Sequence, residues 1–314
     1  MKKAILQIKL FNRHVKLHLG SKYLYAYLSL IYCIIRFGAS PDDYFFTEFF
    51  NYSNYNRKKF LTWRKSVRLI RKYNDKDHIQ KFSNKTLFNS FFSEFIKREW
   101  ISLNNSTYEQ FRNFVKKHTS VLLKPIEGSQ GHGIRKIDYS DADLKGVYDG
   151  DKNYIVEEIL LQHPDMSKLN PSSVNTIRVI TFSSGGTVHF ISCSLRTGGN
   201  NSFVDNLMSN GVCGNIDIDT GIVDRPCVDL EFNKYLFHPD TNEKLVGFQL
   251  PLWDKVKDTI VQASLKIPEV KYIGWDVAIL ENDIALIEGN HNSGRYLGQM
   301  IDKVGKWEVI KKYF

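Results

Sequence analysis

The chain is poor in cysteine, and its few cysteines form no motif. Its 314 residues include four, none of them in a CxxC pair or beside a histidine cluster. This pattern argues against a disulfide framework and against a structural zinc site. We expect free thiols in a reducing cytoplasm at Cys33, Cys193, Cys213 and Cys227.

Long apolar runs are also lacking, and no cleavable signal pattern opens the sequence. The most apolar segment, Tyr23–Phe37, has about 15 residues, whereas a membrane span needs about 20. A buried helix is predicted here. An interfacial helix is the alternative, favoured by four tyrosines and basic surroundings. The predicted localisation is cytoplasmic, with peripheral contact to the inner membrane as an alternative.

Acidic residues are scarce in the first part of the chain. Residues 1–118 carry a net charge of +15 and the remainder −6, within a total of +9. The basic part indicates either an anionic partner, such as a membrane surface or an acidic substrate, or a solvated surface. No nucleic-acid motif accompanies it, and the aromatic run at 44–52 is more typical of a core than of base stacking. No nucleic-acid partner is therefore predicted.

The sequence does contain an ordered series of helices and strands. Residues 1–80 are predicted to be mainly helical, with a helix start at Pro41. From Val121 the pattern changes to strands and loops, with Gly185-Gly186 as a hairpin turn. Further helices are predicted over residues 83–100, 104–118 and 252–265. The alternation indicates mixed α/β packing around one central cleft.

One predicted hairpin, Tyr272 to Gly294, carries oxygen ligands inside apolar strands. Asp276, Glu288 and Asn290 interrupt nearly continuous apolar runs, and a buried carboxylate costs several kcal/mol unless a cation offsets it. If residues 281–283 form the loop, Asp276 lies opposite Glu288, and Asn290 shares their face. Such a set suits Mg²⁺. The alternative is an ordinary hairpin with acidic residues at its rim.

A second stretch, Lys124 to Ile134, is rich in glycine. Three glycines within six residues allow backbone N–H groups to approach an anion, and Lys124 supplies a point charge. The pattern is neither the dinucleotide fingerprint nor the Walker loop. It predicts either phosphate binding or a glycine-rich hairpin without function. A third stretch, Tyr154 to Ile159, ends a strand with two acids, which suit either adenosine or solvent.

Taken in order, these stretches resemble the ATP-grasp superfamily. Lys85 in SNKTLF is similar to its first nucleotide lysine, and Lys124 to its second. Residues 154–159 resemble the hinge strand that holds adenine. The resemblance implies ATP-binding roles for Lys85, Lys124, Gly128, Ser129, Gln130, Gly131, His132, Gly133, Glu157, Glu158, Ile159, His163 and Asp165. It also implies that Asp276, Glu288 and Asn290 bind Mg²⁺, which with ATP is the predicted cofactor pair.

The middle of the chain is similar to the sugar-transfer-associated branch of that superfamily. The carrying motifs are NPSSVNTIRVIT at 170–181, SLRTG at 194–198 and VDN at 204–206. They imply substrate-binding roles for Asn175, Arg178, Arg196, Asp205 and Asn206, with Arg178 and Arg196 also catalytic. Two features depart from the family: Asn84 stands where many relatives have Asp, and residues 1–80 match nothing known.

The resemblance implies an α+β ATP-grasp fold, in which two α+β subdomains clamp ATP, with a mainly helical N-terminal region. The expected division is residues 1–80 and an ATP-grasp domain at 81–314, with a glycine-rich lid subdomain at about 81–155 and a metal and acceptor subdomain at about 156–314.

The implied activity is a carboxylate–amine ligase that forms an amide through an acylphosphate. Its expected substrates are ATP, a hexuronic acid unit and a small amine in capsular or surface polysaccharide biosynthesis. The resemblance also implies peripheral contact with polysaccharide-synthesis enzymes as an alternative to contact with the inner membrane. The alternatives are a sugar or polyol kinase with the same ATP site, and a non-catalytic scaffold of the polysaccharide machinery.

Overall fold

The structure, a computed structural model, describes residues 11–17, 19–128, 131–139, 143–199, 211–295 and 297–314. It divides the chain into two units. The first comprises the residues up to Tyr73 together with Gly294–Phe314, and the second comprises Asn74–Ser293. Residues 294–314 thus belong with the N-terminal region, whereas the sequence placed them with the ATP-grasp domain.

The first unit is helical. Its α-helices include α1 Tyr23–Phe37, α2 Pro41–Phe46, α3 Asn54–Arg57, α4 Trp63–Tyr73, α12 Leu297–Asp302 and α13 Lys306–Ile310. The predicted helix start at Pro41 is confirmed, because Ser40 accepts from the Asp43 backbone at 3.1 Å and Asp43 accepts from that of Ser40 at 2.8 Å. Tyr44, Phe45 and Phe49 of the aromatic run are buried in the core.

Side-chain contacts explain why the C-terminal residues join this unit. Arg295 Nε donates to the fully buried Asp43 carboxylate at 2.7 Å. Gln299 is also buried, and its side chain accepts from Leu61 N at 2.8 Å and donates to Leu61 O at 3.2 Å. Burial raises the pKa of Asp43 even though Arg295 acts against it, so the chain must return to this point to pair the carboxylate.

Helix α1 has the predicted bounds, but the prediction that it is buried is wrong for one face. Ala26, Leu30, Cys33 and Phe37 are buried, whereas Leu24 is 75% exposed. No helix in the described part of the chain is long and apolar enough to cross a membrane.

The second unit contains two antiparallel sheets. The first has the strand order β1-β4-β2-β3, and the second has the order β11-β10-β5-β6-β7-β8-β9. The first sheet consists of β1 Trp100–Ser102, β2 Ser120–Pro125, β3 Arg135–Asp138 and β4 Tyr154–Glu158. The second consists of β5 Thr176–Ser184, β6 Thr187–Thr197, β7 Val212–Ile216, β8 Cys227–Val228, β9 Lys234–Tyr235, β10 Tyr272–Ile279 and β11 Ile284–Asn290.

The helices of the second unit pack on these sheets. They are α5 Gln80–Ser83, α6 Lys85–Phe91, α7 Ser93–Ile96, α8 Tyr108–His118, α9 Leu144–Gly150, α10 Pro164–Leu169 and α11 Trp253–Leu265. The helix predicted over 83–100 is broken into short pieces. Asn84 caps α6 by accepting from Leu87 N at 3.1 Å, and Lys97 ends α7 in the left-handed region, φ 49°.

The largest core surrounds Trp275 on β10. This side chain is fully buried and contacts the rings of Phe82 and Phe92, while its Nε1 lies 3.1 Å from Ser264 Oγ and 3.2 Å from Thr181 Oγ1. A buried indole N–H needs such a partner. The predicted turn at Gly185-Gly186 is confirmed, because Ser184 pairs with Thr187 and both glycines have positive φ.

Gly289 on β11 allows a close approach in this core. A Cβ atom there would lie 2.7 Å from ring carbons of Phe82 and 3.1 Å from Phe88. We expect Gly289→Ala to lower the free energy of unfolding by about 1–3 kcal/mol through overpacking. Thermal unfolding measures the change. The control is Gly150→Ala, where a Cβ meets nothing within 4 Å. Equal midpoints for the two variants would contradict the prediction.

Candidate active site

The hairpin of β10 and β11 places Asp276 directly opposite Glu288, as predicted. The route differs from the prediction, because Ile279 pairs with Ile284 across a longer loop. A β-bulge between Asp276 and Val277 then shifts the register by one residue. A one-residue shift turns every later side chain to the other face. The bulge therefore brings Asp276 and Glu288 together, and Asn290 follows opposite Gly274.

Asp276 is held by two arginines from the neighbouring strands. Arg178 on β5 lies opposite Asp276 and donates through Nε to Oδ1 and through Nη2 to Oδ2, the latter at 2.8 Å. Arg196 on β6 donates from Nη1 to Oδ2 at 3.1 Å. Burial alone would raise the pKa of Asp276, but the two arginines outweigh it and lower that pKa. The predicted catalytic arginines thus lie at the predicted metal edge.

The pKa of Glu288 is shifted in the opposite direction from that of Asp276. Burial and the neighbouring charge of Asp276 raise the pKa of Glu288, against the influence of Arg178. Asn290 Nδ2 donates to Glu288 Oε1 at 3.0 Å. Beside the ionised Asp276, a charged Glu288 is unfavourable unless a further positive charge offsets it.

A buried ionic network in the first sheet joins Lys124 to Glu157. Lys124 Nζ lies 2.6 Å from Glu157 Oε2, and Arg98 Nη2 lies 2.9 Å from Oε1. Asn89 Nδ2 donates to the same Oε1 at 2.8 Å. Glu157 is fully buried, but Arg98 and Lys124 outweigh the effect of burial and lower its pKa well below the ordinary range. Glu157 therefore stays ionised and orients Lys124.

Arg98 connects this network to the strand of Glu288. Its guanidinium donates to Leu286 O at 2.7 Å and to Ile287 O at 3.1 Å, both on β11. One side chain therefore ties the lysine site of the first sheet to the carboxylate edge of the second.

Lys85 lies at the same junction. Its Nζ donates to Gly128 O at 3.2 Å, and its backbone N–H donates to Ile126 O at 3.0 Å. Burial lowers the pKa of Lys85, Glu288 acts against that shift and Lys124 adds to it. The two predicted nucleotide lysines and a predicted metal ligand therefore influence one another electrostatically.

The glycine loop between β2 and β3 uses backbone that favours glycine. Gly128, Gly131 and Gly133 have φ of 140°, 73° and 76°, values that residues with a Cβ rarely adopt. His132 is exposed. Ser129 and Gln130, also predicted to contact phosphate, lie outside the described residues, as do Asp205 and Asn206 of the predicted substrate set.

A cavity of about 640 Å³ borders the predicted hinge. Residues 158–162, including Ile159, line it, together with Leu122 on β2 and Lys136 on β3. Leu122 shares its face of β2 with Lys124. The volume falls in the usual range for small-molecule sites. Glu158 lines this cavity, and its Oε2 accepts from Glu99 N at 3.0 Å.

The family model described as "Sugar-transfer associated ATP-grasp" matches residues 135–312, more than half of the chain. The chain belongs to this ATP-grasp family. A second family model, the ATP-grasp domain of prokaryotic glutathione synthetase, matches residues 84–168, which include Lys85, Lys124 and the hinge. The predicted resemblance and the α+β ATP-grasp fold are confirmed. No curated protein matches the sequence.

Solved structures of ATP-grasp ligases match the chain at low sequence identity. PsnB complexed with minimal precursor is 14% identical with a TM-score of 0.46 over 76% of this chain and 61% of PsnB. PsnB with precursor, Mg and ADP is 13% identical with a TM-score of 0.47 over 82% and 67%. D-Alanine-D-alanine ligase from Helicobacter pylori is 12% identical with a TM-score of 0.48 over 80% and 68%. The chain thus spans about three fifths of the first PsnB structure.

The side chains of the predicted metal ligands are chemically suited to a magnesium ion. Asp276, Glu288 and Asn290 offer carboxylate and amide oxygens, the hard ligands that Mg²⁺ prefers, and a cation would offset the repulsion that raises the pKa of Glu288. Within the described ranges, no group of three or more His, Cys, Asp or Glu side chains is arranged for a metal. Only two protein carboxylates are thus available, and phosphate and water oxygens would complete the shell. The predicted cofactors, ATP and Mg²⁺, agree with the family.

Three predicted residues have local hydrogen-bond or ion-pair partners instead. Asn175 is fully buried, and its Nδ2 donates to Met166 O at 2.8 Å and to Asn170 O at 2.9 Å. This geometry argues against the predicted substrate contact, because a substrate cannot reach a fully buried side chain. His163 caps α10 by accepting from Asp165 N at 3.1 Å. Asp165 pairs with Lys168 at 2.7 Å, so the ribose contact of either residue stays a prediction.

Sequence reasoning missed Arg98 and Asn89. Both are buried polar residues whose partner is Glu157. The sequence offered one signal: Glu157 follows three apolar or aromatic residues, 154–156, of a predicted strand. A carboxylate buried in such a strand requires a buried partner elsewhere in the chain. The sequence alone did not identify that partner.

Proposed function

We propose that this chain is an ATP- and Mg²⁺-dependent carboxylate–amine ligase that forms an amide through an acylphosphate. The observation that supports it most is the meeting of Arg178 and Arg196 at Asp276, opposite Glu288. Guanidinium groups suit carboxylate and phosphate oxygens, and here they lie beside the carboxylates that fit a cation. One edge of the sheet therefore offers both cationic and anionic groups to a reacting phosphoryl group.

In the proposed reaction the substrate carboxylate attacks the γ-phosphorus of ATP, and ADP leaves. The amine then attacks the acyl carbon, and inorganic phosphate leaves as the amide bond forms. Lys85 and Lys124 bind phosphate oxygens of ATP, and residues 158–162 bind the adenosine. Mg²⁺, held by Asp276, Glu288 and Asn290, would neutralise phosphate charge. Arg196 and Arg178 stabilise the oxyanion that develops at the acyl carbon.

The proposed carboxylate is a hexuronic acid unit of a sugar nucleotide or capsule intermediate. The family description, sugar-transfer associated, supports a sugar substrate, and the two arginines at the metal edge suit its carboxylate. The proposed amine is a small amino acid or amino alcohol. This chemistry belongs in capsular or surface polysaccharide biosynthesis.

The test is ADP release by the purified chain. With ATP, Mg²⁺, a panel of uronates and a panel of amines, we expect ADP release only when both substrates are present. Arg196→Lys should lower the rate of ADP release by about 10²-fold, because a compact ammonium group lacks the planar guanidinium donors that suit carboxylate and phosphate oxygens.

Two outcomes would contradict the proposal. ADP release without any amine, together with a stable phosphorylated sugar, would identify a sugar kinase. No nucleotide turnover, with function in cells retained by Glu288→Ala, would identify a scaffold. A matched control for Arg196→Lys is Arg112→Lys, an exposed arginine on α8.

A further inference from the structure

Helix α1 exposes an apolar face. Its outward stripe contains Leu24, Leu28, Ile31 and Ile35, which are 75%, 60%, 51% and 70% exposed. These residues recur at helical spacing and share one side of the helix. The opposite side, from Ala26 to Phe37, is buried in the first unit. The helix thus has one apolar face in the core and a second apolar face that no described residue covers.

The margins of this stripe are also apolar or aromatic. Tyr25 and Tyr32 lie along one margin, with exposures of 52% and 42%, and Ile34 lies along the other at 38%. Charged side chains occur at the two ends, Lys22 before the helix and Arg36 in its last turn. An ordinary surface helix exposes polar residues on its outer face. A contiguous exposed apolar patch marks an interaction site.

A cluster of cations lies at the C-terminal end of this helix. Arg64 donates to Ile34 O at 3.1 Å and to Ile35 O at 3.3 Å, which fixes its guanidinium there. A cavity of about 180 Å³ at this place is lined by Arg36, Phe37, Lys58, Arg64, Lys65 and Arg68. No carboxylate lines this cavity. Within the described ranges, none of these five cations forms an ion pair with an acidic residue.

Charge is divided between the two units. The first unit holds 20 lysines and arginines and 5 acidic residues, a net charge of +15, and the second unit has a net charge of −6. The exposed apolar helix therefore belongs to the basic unit. A second copy on this face would bring a like charge of +15 against it, whereas an anionic surface is complementary. With 15 residues, the helix is too short to span a bilayer of about 30 Å.

We propose that α1 docks in the plane of an anionic lipid bilayer. The stripe of Leu24, Leu28, Ile31 and Ile35 enters the boundary between head groups and acyl chains, the tyrosines lie at head-group depth, and the cation cluster contacts lipid phosphates. The interaction is independent of the ligase reaction proposed above.

The test is sedimentation of the whole chain with lipid vesicles. One set contains phosphatidylcholine alone, and the other contains phosphatidylcholine with phosphatidylglycerol. We expect binding to the anionic vesicles, weaker binding as salt increases, and little binding to the neutral ones. The double variant Leu28→Gln with Ile35→Gln should reduce binding at least about tenfold. Leu236→Gln is the matched control, because Leu236 in the second unit is 54% exposed and should leave binding unchanged.

Charge variants separate the two contributions. Arg36→Gln and Arg68→Gln should each weaken binding to anionic vesicles about fivefold and reduce its salt dependence, whereas Arg112→Gln on α8 should not. All of these positions are exposed, and circular dichroism checks that each variant folds. ADP release without vesicles should equal that of the wild type, so a failed ligase assay and a failed docking assay are distinguishable.

Several results would overturn the proposal. One is equal binding of the wild type and the double variant to anionic vesicles. Another is equal binding to neutral and anionic vesicles. A third is absence of vesicle binding together with dimer formation that Leu28→Gln abolishes, which would show that a second copy covers the face.

Discussion

Replacing Glu288 by glutamine should reduce ADP release by about 10²–10³-fold while the unliganded chain stays at least as stable as the wild type. Activity falls because a ligand carboxylate at the proposed metal edge is lost. Stability does not fall, because the pKa of Glu288 is raised by burial and by Asp276. Protonated Glu288 stabilises the fold below the unfolded pKa, and this stabilisation is lost as pH rises through the folded pKa. At neutral pH its carboxylate is therefore unfavourable.

The measurement combines ADP release with thermal unfolding in the presence and absence of Mg²⁺ and ADP. The wild type should gain thermal stability when both are added, and Glu288→Gln should gain much less. The control is Glu281→Gln, because Glu281 is an exposed acid in the loop of the same hairpin and should keep wild-type activity. Full activity of Glu288→Gln would remove the basis for the metal assignment.

Replacing Arg98 by methionine should lower the free energy of unfolding more than any other substitution proposed for this chain. The substitution leaves Glu157 buried with less positive charge and removes the donors to Leu286 O and Ile287 O. Removing one partner of a buried pair costs about 3–5 kcal/mol, which corresponds to a fall of about 6–20 °C in the midpoint. Scanning calorimetry measures it. Nucleotide affinity should also fall, because Glu157 orients Lys124.

A double variant and a surface control make this prediction specific. Glu157→Gln combined with Arg98→Met should recover part of the lost stability, because it removes the unpaired buried charge. Lys117→Met disrupts an exposed pair with Glu99 and should change the midpoint little. If Arg98→Met behaves like Lys117→Met, the network does not stabilise the fold as described.

The arrangement of Arg98 suggests how the site couples to the fold. A single guanidinium contacts the backbone of β11 and the carboxylate that orients Lys124. Any displacement of β11 would therefore affect both Glu288, the proposed metal ligand, and Lys124, the proposed phosphate-binding lysine. The positions of Lys124 and Glu288 therefore both depend on Arg98.

Local features were predictable from the sequence because they depend on residues close together in the chain. The helix Tyr23–Phe37 has its predicted bounds, Asn84 caps α6, and Gly185-Gly186 forms its hairpin turn. Helical spacing, capping side chains and the positive φ of glycine determine these features locally. The order of Lys85, Lys124 and Glu288 likewise identified the family.

The predicted loop of the β10–β11 hairpin is shorter than the loop in the structure. The register of Asp276 and Glu288 was predicted correctly from a three-residue loop, but the structure reaches it through a longer loop and a bulge. The sequence contains no local signal for that bulge. Without that bulge, the register would turn Glu288 away from Asp276.

By itself the sequence determined the family and the helical start of the chain, and it predicted roles for Lys85, Lys124, Asp276, Glu288 and Asn290. Only the tertiary structure showed that Arg98 pairs with Glu157, that Asn175 is buried, that residues 294–314 join the first unit, and that α1 has an exposed apolar face. The physical reason is distance along the chain. Spacing within one element shows which residues share a face, but packing between elements far apart in sequence decides which charge meets which partner and which apolar face stays uncovered.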